Sequence, residues 1–330
     1  MSLTHSERGE KPQLEAVGAV MLPQNSERVL DADEEVFVLY SELQTQKPTE
    51  DSNQSFRGLG HVDSRKNILT LSIELRGGEV ANSDTFDANA KGEKTRARLM
   101  RNRVKRIPDK TVEVEVAQDT TALRSRKGDT GSVLWYASVD FARSVLQDAH
   151  LPTSESMFDF QKLKSQHIFE LGAGTGVLSL LLSPLCRQYT ATDIPELIPL
   201  IQKNVSMNFS ASTANMPNID AKPLDWIALK NTPHNRRQAS IPIDGSIDLL
   251  LAIDCIYHPS LLPSLVETID FLATPNHTAV LVVSELRSEQ VICEFLELWL
   301  AIPGWIIHRI PGLLSGPYVV WFGYKDSGGD

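Results

Sequence analysis

The strongest constraint on the fold is a glycine-rich turn at Gly172, Gly174 and Gly176, set between two apolar segments. Residues 166–169 before the turn have the pattern of a short buried strand, and residues 177–182 after it begin an apolar helix. Strand, turn and helix in this order let a ligand reach backbone N–H groups at the start of a helix, where any side chain would obstruct it. The turn therefore predicts a ligand site in an α/β fold; the alternative is a turn that serves only the fold.

Two carboxylates accompany this turn. Asp193 follows residues 188–192, a second apolar segment, and lies about 20 positions after the first glycine, where it can accept hydrogen bonds from ribose hydroxyls. Val177 stands where a dinucleotide fingerprint requires glycine. Glu170 adds a negative charge at the end of the first strand, which disfavours a pyrophosphate and favours a cofactor with a positive charge. These residues favour S-adenosylmethionine as the cofactor.

Composition limits the class of protein. The chain is 42% hydrophobic, which suits a packed globular protein, and its net charge of −10 disfavours nonspecific nucleic-acid binding but would attract a basic protein. Three cysteines without metal-ligand spacing, Cys186, Cys255 and Cys293, indicate free thiols in a reducing compartment and no metal site. A polar N-terminus and the absence of a long apolar run predict a cytoplasmic protein, with the nucleus as a second location, and no membrane contact. A monomer is the expected state.

Residues 1–130 differ from the remainder and are predicted to form a β-rich extension with flexible loops. Residues 36–40, 68–75 and 111–116 have strand patterns, and the alternation over 111–116 predicts one solvent-exposed face. A basic stretch, residues 94–106, is suited to RNA phosphates or to the ribosome surface, although a solvated helix or loop is the simpler interpretation. It has no aromatic residues for base stacking, so sequence-specific RNA recognition is not predicted.

Strands and helices alternate regularly over residues 131–330. Helices are predicted at 132–147, 195–208, 261–272 and 289–300, strands at 219–224, 247–253, 278–284, 305–310 and 318–324, and a polar loop at 230–246. This alternation predicts a mainly parallel sheet covered by helices on both faces, and the last two strands, joined by a loop, add an antiparallel edge. The pattern resembles the seven-stranded, Rossmann-like sheet of class I methyltransferases.

Further polar residues follow the predicted strands, where ligands of parallel sheets bind. Asp225 is placed to accept a hydrogen bond from an adenine amino group while Trp226 packs on the ring, and a turn with a core tryptophan is the alternative. Trp135, upstream of the glycine turn, fits a core position and a cover over the cofactor equally well. Asp254 and Tyr257, three positions apart after a strand, can flank a nucleophile that enters opposite the cofactor; capping of the next helix by Asp254 is the alternative.

These elements resemble methyltransferase family 16, a family of seven-β-strand enzymes, many of which methylate lysines of proteins. The resemblance rests on the run at residues 169–176, the helix with Trp135, the Asp225–Trp226 pair and the acid-x-x-Tyr element at Asp254 and Tyr257. The N-terminal extension and residues 316–324 look most like the fungal ribosomal lysine N-methyltransferases. The resemblance implies acceptor placement by Asp254 and Tyr257 and a large-subunit ribosomal protein as substrate. It implies cofactor contacts at Trp135, Gly172, Ala173, Gly174, Asp193, Trp226 and Ala252.

Two other functions remain open from the sequence. A nucleic-acid methyltransferase shares the spacing of the acid-x-x-Tyr element, but Cys255 and Ile256 replace the two prolines of the adenine-amino signature, and the pI near 5.3 counts against it. A non-catalytic partner of the ribosome or of a chaperone would bind S-adenosylmethionine only for stability. Loss of turnover on mutation of Asp254 distinguishes an enzyme from such a partner.

Overall fold

A computed structural model describes residues 16–45, 60–63, 65–81, 104–120, 131–153, 156–209, 217–241 and 245–327. The strands are β1 (Ala16–Val17), β2 (Val20–Met21), β3 (Glu27–Arg28), β4 (Ile68–Leu75), β5 (Gly78–Ala81), β6 (Val104–Ile107), β7 (Lys110–Ala117), β8 (His167–Leu171), β9 (Gln188–Asp193), β10 (Ile219–Pro223), β11 (Leu249–Ile253), β12 (Ala279–Glu285), β13 (Trp305–Arg309) and β14 (Tyr318–Lys325). The helices are α1 (Ala32–Thr45), α2 (Tyr136–His150), α3 (Phe160–Leu163), α4 (Val177–Leu182), α5 (Ile198–Asn208), α6 (Trp226–Asn231), α7 (His234–Ser240), α8 (Leu262–Leu272) and α9 (Glu289–Leu300).

The main sheet has the order β10-β9-β8-β11-β12-β14-β13-β3. The five strands from β10 to β12 are parallel, whereas β14 is antiparallel to both of its neighbours. This confirms the predicted Rossmann-like α/β fold, and β3 adds an eighth strand to the seven predicted. The antiparallel strand is interior and not at the edge as predicted, and its buried run Val319–Phe322 suits a strand covered on both faces.

Apolar side chains of the central strands alternate between the two faces of the sheet. Leu249 and Leu251 belong to one core cluster, with α2, α4 and α5, whereas Leu250 and Ala252 belong to the other, with α1, α8 and α9. The two clusters confirm that both faces are covered, as a parallel sheet requires. No helix among the described residues combines the length and the apolar character needed to cross a membrane.

Residues 36–40 belong to helix α1, so the predicted strand is wrong. The helix begins after Asp31, whose Oδ1 accepts a hydrogen bond of 2.9 Å from the Glu34 N–H. Ala32, Val36 and Leu39 are buried at helical spacing, whereas Phe37 is 74% exposed. The local run of β-branched and aromatic residues favours a strand. The Asp31 cap and the spacing of the buried residues at three or four positions favour the helix instead.

The predicted strands at 68–75 and 111–116 form the antiparallel pair β4 and β7. Glu113 and Glu115 are exposed and Val114 and Val116 are buried, so the predicted solvent-exposed face is confirmed. Asn204 of α5 connects this pair to the glycine turn. Its amide N–H₂ donates to the carbonyl oxygens of Ala117 and Thr175, at 3.0 and 2.8 Å.

Two further predictions for polar segments have different outcomes. The predicted loop at 230–246 is wrong in part, because residues 234–240 form helix α7, in which no residue is buried. The basic stretch lies outside the described residues up to position 103, and its remainder joins β6, which pairs with β5. Ribosome or RNA contact through this stretch therefore stays a prediction.

The division of the chain at residue 130 also stays a prediction, but the earlier part contributes to the main sheet. Strand β3 pairs with β13. Arg309 of β13 is 3% exposed and forms ion pairs with Glu27 of β3 and with Glu35 and Glu42 of α1. Trp321 of β14 donates a hydrogen bond of 2.9 Å to Glu35 Oε1, and burial raises the pKa of Glu35. A buried arginine therefore ties β3 and α1 to the sheet.

Candidate functional site

The glycine turn lies between β8 and α4, at the carboxyl edge of the main sheet. Gly172, Gly174 and Gly176 have φ of +64°, +57° and +75°, a left-handed conformation that residues with a side chain seldom adopt. Space is also short, because a Cβ on Gly174 would lie 2.9 Å from the carbonyl oxygen of Gly131 and one on Gly172 would lie 2.8 Å from Cys255 Sγ. Both backbone conformation and close packing therefore require glycine here.

A cavity of about 480 Å³ opens beside this turn. Its volume is within the range typical of small-molecule sites. It brings together residues from the carboxyl ends of four adjacent strands, β8 to β11. The predicted site residues that line it are Trp135, Gly172, Ala173, Gly174, Asp193, Asp225, Trp226, Asp254 and Tyr257.

Asp193 connects the end of β9 to the glycine turn. Its Oδ2 accepts a hydrogen bond of 2.7 Å from the Gly174 N–H, and its Oδ1 accepts one of 2.8 Å from the Ile194 N–H. These bonds fix the orientation of the carboxylate beside the cavity. Each oxygen has a second lone pair, so the predicted bonds to ribose hydroxyls are compatible with this geometry.

Asp225 and Trp226 form the next part of the cavity wall. Asp225 caps α6, because its Oδ1 accepts hydrogen bonds from the N–H groups of Ile227 and Ala228, at 2.8 and 3.2 Å. The cap uses Oδ1, which leaves Oδ2 for an adenine amino group. Trp226 Nε1 is buried and has no hydrogen-bond partner among the described residues. A ligand acceptor would satisfy this group, so the pair suits a polar aromatic ligand.

Trp135 lies directly before α2 and lines the cavity. Residues 60–63 run beside it: His61 forms a β-bridge with Trp135, and their ring centroids are 6.0 Å apart. The guanidinium carbon of Arg287 lies 4.8 Å from the centroid of the Trp135 ring. The ring is therefore held in place by a cation, and Trp135 is a cavity wall and not a core residue.

Asp254 has an unusual backbone and a charged partner. It follows β11 with φ of +59°, a left-handed conformation that costs a non-glycine residue on the order of 1 kcal/mol. Its side chain is 5% exposed, and Oδ2 accepts a hydrogen bond of 2.6 Å from Arg287 Nη2. Asp254 does not cap the following 3₁₀ turn, because His258 Nδ1 accepts from the Ser260 N–H. Tyr257 is 37% exposed at the cavity mouth.

Two predicted cofactor residues, Glu170 and Ala252, lie outside the cavity lining. The Glu170 carboxyl is 2% exposed and accepts a hydrogen bond of 2.9 Å from the Tyr189 hydroxyl. Burial raises the pKa of Glu170 to about 8, so the carboxyl is mainly protonated at neutral pH. Glu170 is thus not part of the cavity lining, and its contact with a cofactor stays a prediction. Ala252 is fully buried in β11, behind the wall.

Sequence reasoning did not identify Gly131, Leu197 or Arg287, which also line the cavity. Gly131 packs against the glycine turn, and Arg287 pairs with Asp254 from the end of β12. Neither belongs to a recognisable motif. The signal for Arg287 was weak but present, since it is a lone cation that follows a predicted buried strand.

The lining residues fit S-adenosylmethionine. A carboxylate at the second strand end, a capping aspartate with a neighbouring indole, and a glycine turn with no room for side chains match a ribose, an adenine and a methionine chain. The orphan N–H of Trp226 supports a ligand with acceptor atoms. The chain would hold the cofactor through Asp193, Asp225, Trp226, Trp135 and the turn at Gly172–Gly174.

The strand order and the site at the carboxyl edge are those of a Rossmann-like class I methyltransferase fold. Residues 116–299, more than half of the chain, match methyltransferase family 16, described as lysine methyltransferase. The chain therefore belongs to the lysine methyltransferase family.

Several curated proteins are similar to this chain over part of their length. EEF1A lysine methyltransferase 3 of Xenopus tropicalis is 34% identical over 142 residues, 42% of this chain and 57% of that protein. Protein-lysine methyltransferase METTL21E of Bos taurus is 37% identical over 130 residues, 39% and 41% of the two chains. Diaminohydroxyphosphoribosylamino-pyrimidine deaminase of Schizosaccharomyces pombe is 33% identical over 190 residues, 56% and 41% of the two chains. The chain thus spans about two fifths to three fifths of the length of these relatives.

Proposed function

We propose that this chain is an S-adenosylmethionine-dependent protein-lysine N-methyltransferase. The observation that carries the proposal is that Asp254 and Tyr257 border the same cavity as the glycine turn and Asp193. We infer that the turn and Asp193 mark the cofactor end of this cavity and that the acceptor enters beside Tyr257, which is 37% exposed. Membership of the lysine methyltransferase family supports the choice of a lysine amine as that acceptor.

When bound, S-adenosylmethionine supplies an electrophilic methyl group. The acceptor amine has an ordinary pKa near 10.4 and must lose a proton to water before it can attack. Ile227, Leu261 and Tyr257 line the cavity, and an apolar surface of this kind disfavours the ammonium form. Methyl transfer would form the N–C bond, break the C–S bond of the cofactor and develop positive charge on the amine nitrogen, which the Asp254 carboxylate would stabilise. Positioning accounts for most of the acceleration in such an in-line displacement.

The substrate we propose is a large-subunit ribosomal protein. The similarity of residues 316–324 to fungal ribosomal lysine N-methyltransferases supports it, and so does the net charge of −10, because ribosomal proteins are basic. A second candidate is the elongation factor in the name of EEF1A lysine methyltransferase 3, supported by 34% identity over 142 residues.

Methyl transfer from tritium-labelled S-adenosylmethionine tests the activity. Purified chain is incubated with salt-washed ribosomes or with purified elongation factor, and the label is followed through RNase treatment and acid hydrolysis. We expect labelled methyl-lysine in one ribosomal protein. Label in the elongation factor alone would move the substrate to the second candidate, and label only in RNA would reject the lysine acceptor.

An Asp254→Asn variant separates an enzyme from a partner that only binds the cofactor. We expect binding of S-adenosylhomocysteine to stay within about threefold of wild type while turnover falls about 100-fold. Unchanged turnover would remove Asp254 from the reaction.

A further inference from the structure

Arg287 joins the two ends of the cavity. It follows β12, and its Nη2 lies 2.6 Å from Asp254 Oδ2 and 2.8 Å from Glu285 Oε2. The same guanidinium lies over the Trp135 ring, with 4.8 Å between Cζ and the ring centroid. It therefore contacts the side chain proposed for the acceptor and the aromatic wall proposed for the cofactor.

Gly60 packs against the cluster formed by Arg287, Glu285 and Trp135. Its carbonyl oxygen accepts a hydrogen bond of 2.9 Å from the Tyr136 N–H, next to Trp135. With φ of +90°, a Cβ on Gly60 would lie 2.6 Å from Glu285 Oε2 and 2.7 Å from Arg287 Nη2. Backbone thus packs directly on the ion pair, and the guanidinium, on a side chain that is 31% exposed, contacts Trp135 and two carboxylates.

Only one carboxylate oxygen of Asp254 has a short hydrogen bond within the described residues. Its Oδ2 is bound by Arg287, whereas its Oδ1 has only a long contact of 3.4 Å from the Glu285 N–H among the described residues. Oδ1 can therefore accept a further hydrogen bond. The left-handed backbone of Asp254 would relax more readily without the ion pair, because the ion pair holds the side chain in place.

The positive charge of Arg287 also affects the pKa of Asp254. Burial raises the pKa of Asp254, and the positive charge of Arg287 lowers it. Glu285 also faces Asp254 and raises this pKa, while Cys255 and Tyr257 follow it along the chain and His61 faces the cluster across Trp135. Without Arg287, two carboxylates would share a buried site, and one of them would take up a proton.

We propose that Arg287 is a positioning residue, whose guanidinium pairs with Asp254 Oδ2, leaves Oδ1 available to the acceptor amine and holds Trp135 against the cofactor end. The catalytic part of this proposal rests on the proposed function. The effect of Arg287 on Asp254 is independent of the proposed function, since the two residues form an ion pair within this chain.

The test compares Arg287→Met, which removes the charge, with Arg287→Lys, which keeps it. In the complex with S-adenosylhomocysteine, ¹³C NMR of labelled aspartate follows the titration of the Asp254 carboxyl. We expect Arg287→Met to raise the midpoint by about one pH unit or more and Arg287→Lys to keep it within about half a unit. Arg143→Met is the matched control, because Arg143 pairs with Asp140 on the surface of α2. Arg287→Gln replaces the methionine variant if that chain does not fold.

A midpoint that stays within about 0.3 unit in Arg287→Met would overturn the proposal. If wild type transfers methyl groups to lysine, Arg287→Met should lower kcat about 30-fold at neutral pH and shift the acidic limb of the pH profile upwards, while Arg287→Lys recovers part of kcat. If wild type transfers none, the proposed function fails, but the titration still decides whether Arg287 controls Asp254.

Discussion

The Tyr189 hydroxyl donates a hydrogen bond of 2.9 Å to Glu170 in the wall behind the cavity. Both side chains are buried, and burial raises the pKa of Glu170 to about 8 and that of Tyr189 well above 10. Burial therefore favours the neutral forms of both groups, a phenol and a carboxylic acid. The acidic residue of the glycine motif contributes shape and a hydrogen bond here, and little charge.

This pair predicts a pH dependence of stability. The pKa of Glu170 rises from 4.5 in the unfolded chain to about 8 in the folded chain, so the folded state binds the proton more tightly. The contribution is fully present below pH 4.5 and is lost as the pH rises through about 8, by a few kcal/mol in total. Glu170→Gln removes this dependence. Urea unfolding between pH 5 and pH 9 should show the stability of the variant, relative to wild type, increasing with pH.

Two variants control that experiment. Glu113→Gln removes an exposed carboxylate from β7 and should follow the wild-type curve. Tyr189→Phe removes the donor that lowers the Glu170 pKa, so its loss of stability should occur at higher pH. A constant difference between Glu170→Gln and wild type at all pH values would show that Glu170 does not titrate in this range.

Asp193 is predicted to control cofactor affinity. In Asp193→Asn, one amide N–H₂ group would face the N–H of Gly174 or Ile194, so the variant loses an acceptor for the turn as well as one for the ribose. We expect affinity for S-adenosylhomocysteine, measured by calorimetry, to fall about 100-fold. Asp220→Asn, on the neighbouring strand β10, is the control. Binding within threefold of wild type would remove Asp193 from the cofactor site.

The buried Arg309 is predicted to hold β3 and α1 on the sheet. Arg309→Met leaves Glu35 without its cation in a buried site, which should lower the free energy of unfolding by about 3 kcal/mol. Adding Glu35→Gln should restore part of this loss, because the unpaired charge is then removed. Urea unfolding gives the energies, and the rate of limited proteolysis within α1 reports its release. Equal stability of the single and double variants would contradict the role given to Glu35.

Gly60 is predicted to affect turnover more than global stability. In Gly60→Ala the new methyl group would meet Glu285 and Arg287, so the ion pair with Asp254 must shift. We expect kcat to fall about tenfold and the unfolding free energy to fall by about 1 kcal/mol. Gly312→Ala is a matched control, since Gly312 also has positive φ, +75°, but has no atom within 4 Å of the added Cβ. If both variants lose kcat equally, contact with Arg287 is not the cause.

Most of the sheet and several residues of the cavity wall could be predicted because both depend on local patterns. Buried strands appear as apolar runs, and residues that follow parallel strands meet at one edge. That rule placed Asp193, Asp225 and Asp254 in one cavity. The helix at 32–45 was missed because a short apolar run does not distinguish a strand from a helix, and its cap lies outside the run.

The parts that the sequence did not predict depend on contacts between distant segments. Arg287 meets Asp254 across 33 positions, and Gly60 meets Glu285 across more than 200. No spacing rule connects such residues. Contact of Glu170 with the cofactor stays a prediction, and the effect of burial on its pKa could not be predicted because it depends on how deeply the carboxyl is buried.

The interior position of β14 has a consequence for synthesis of the chain. Strand β14 separates β12 from β13, so β13 is made before the strand that connects it to the parallel half of the sheet. Strand β3 and helix α1 precede the parallel strands in the sequence, yet their partner Arg309 is on β13. Strand β3 therefore cannot join the sheet until β13 has been translated, so the sheet does not assemble in the order of the sequence.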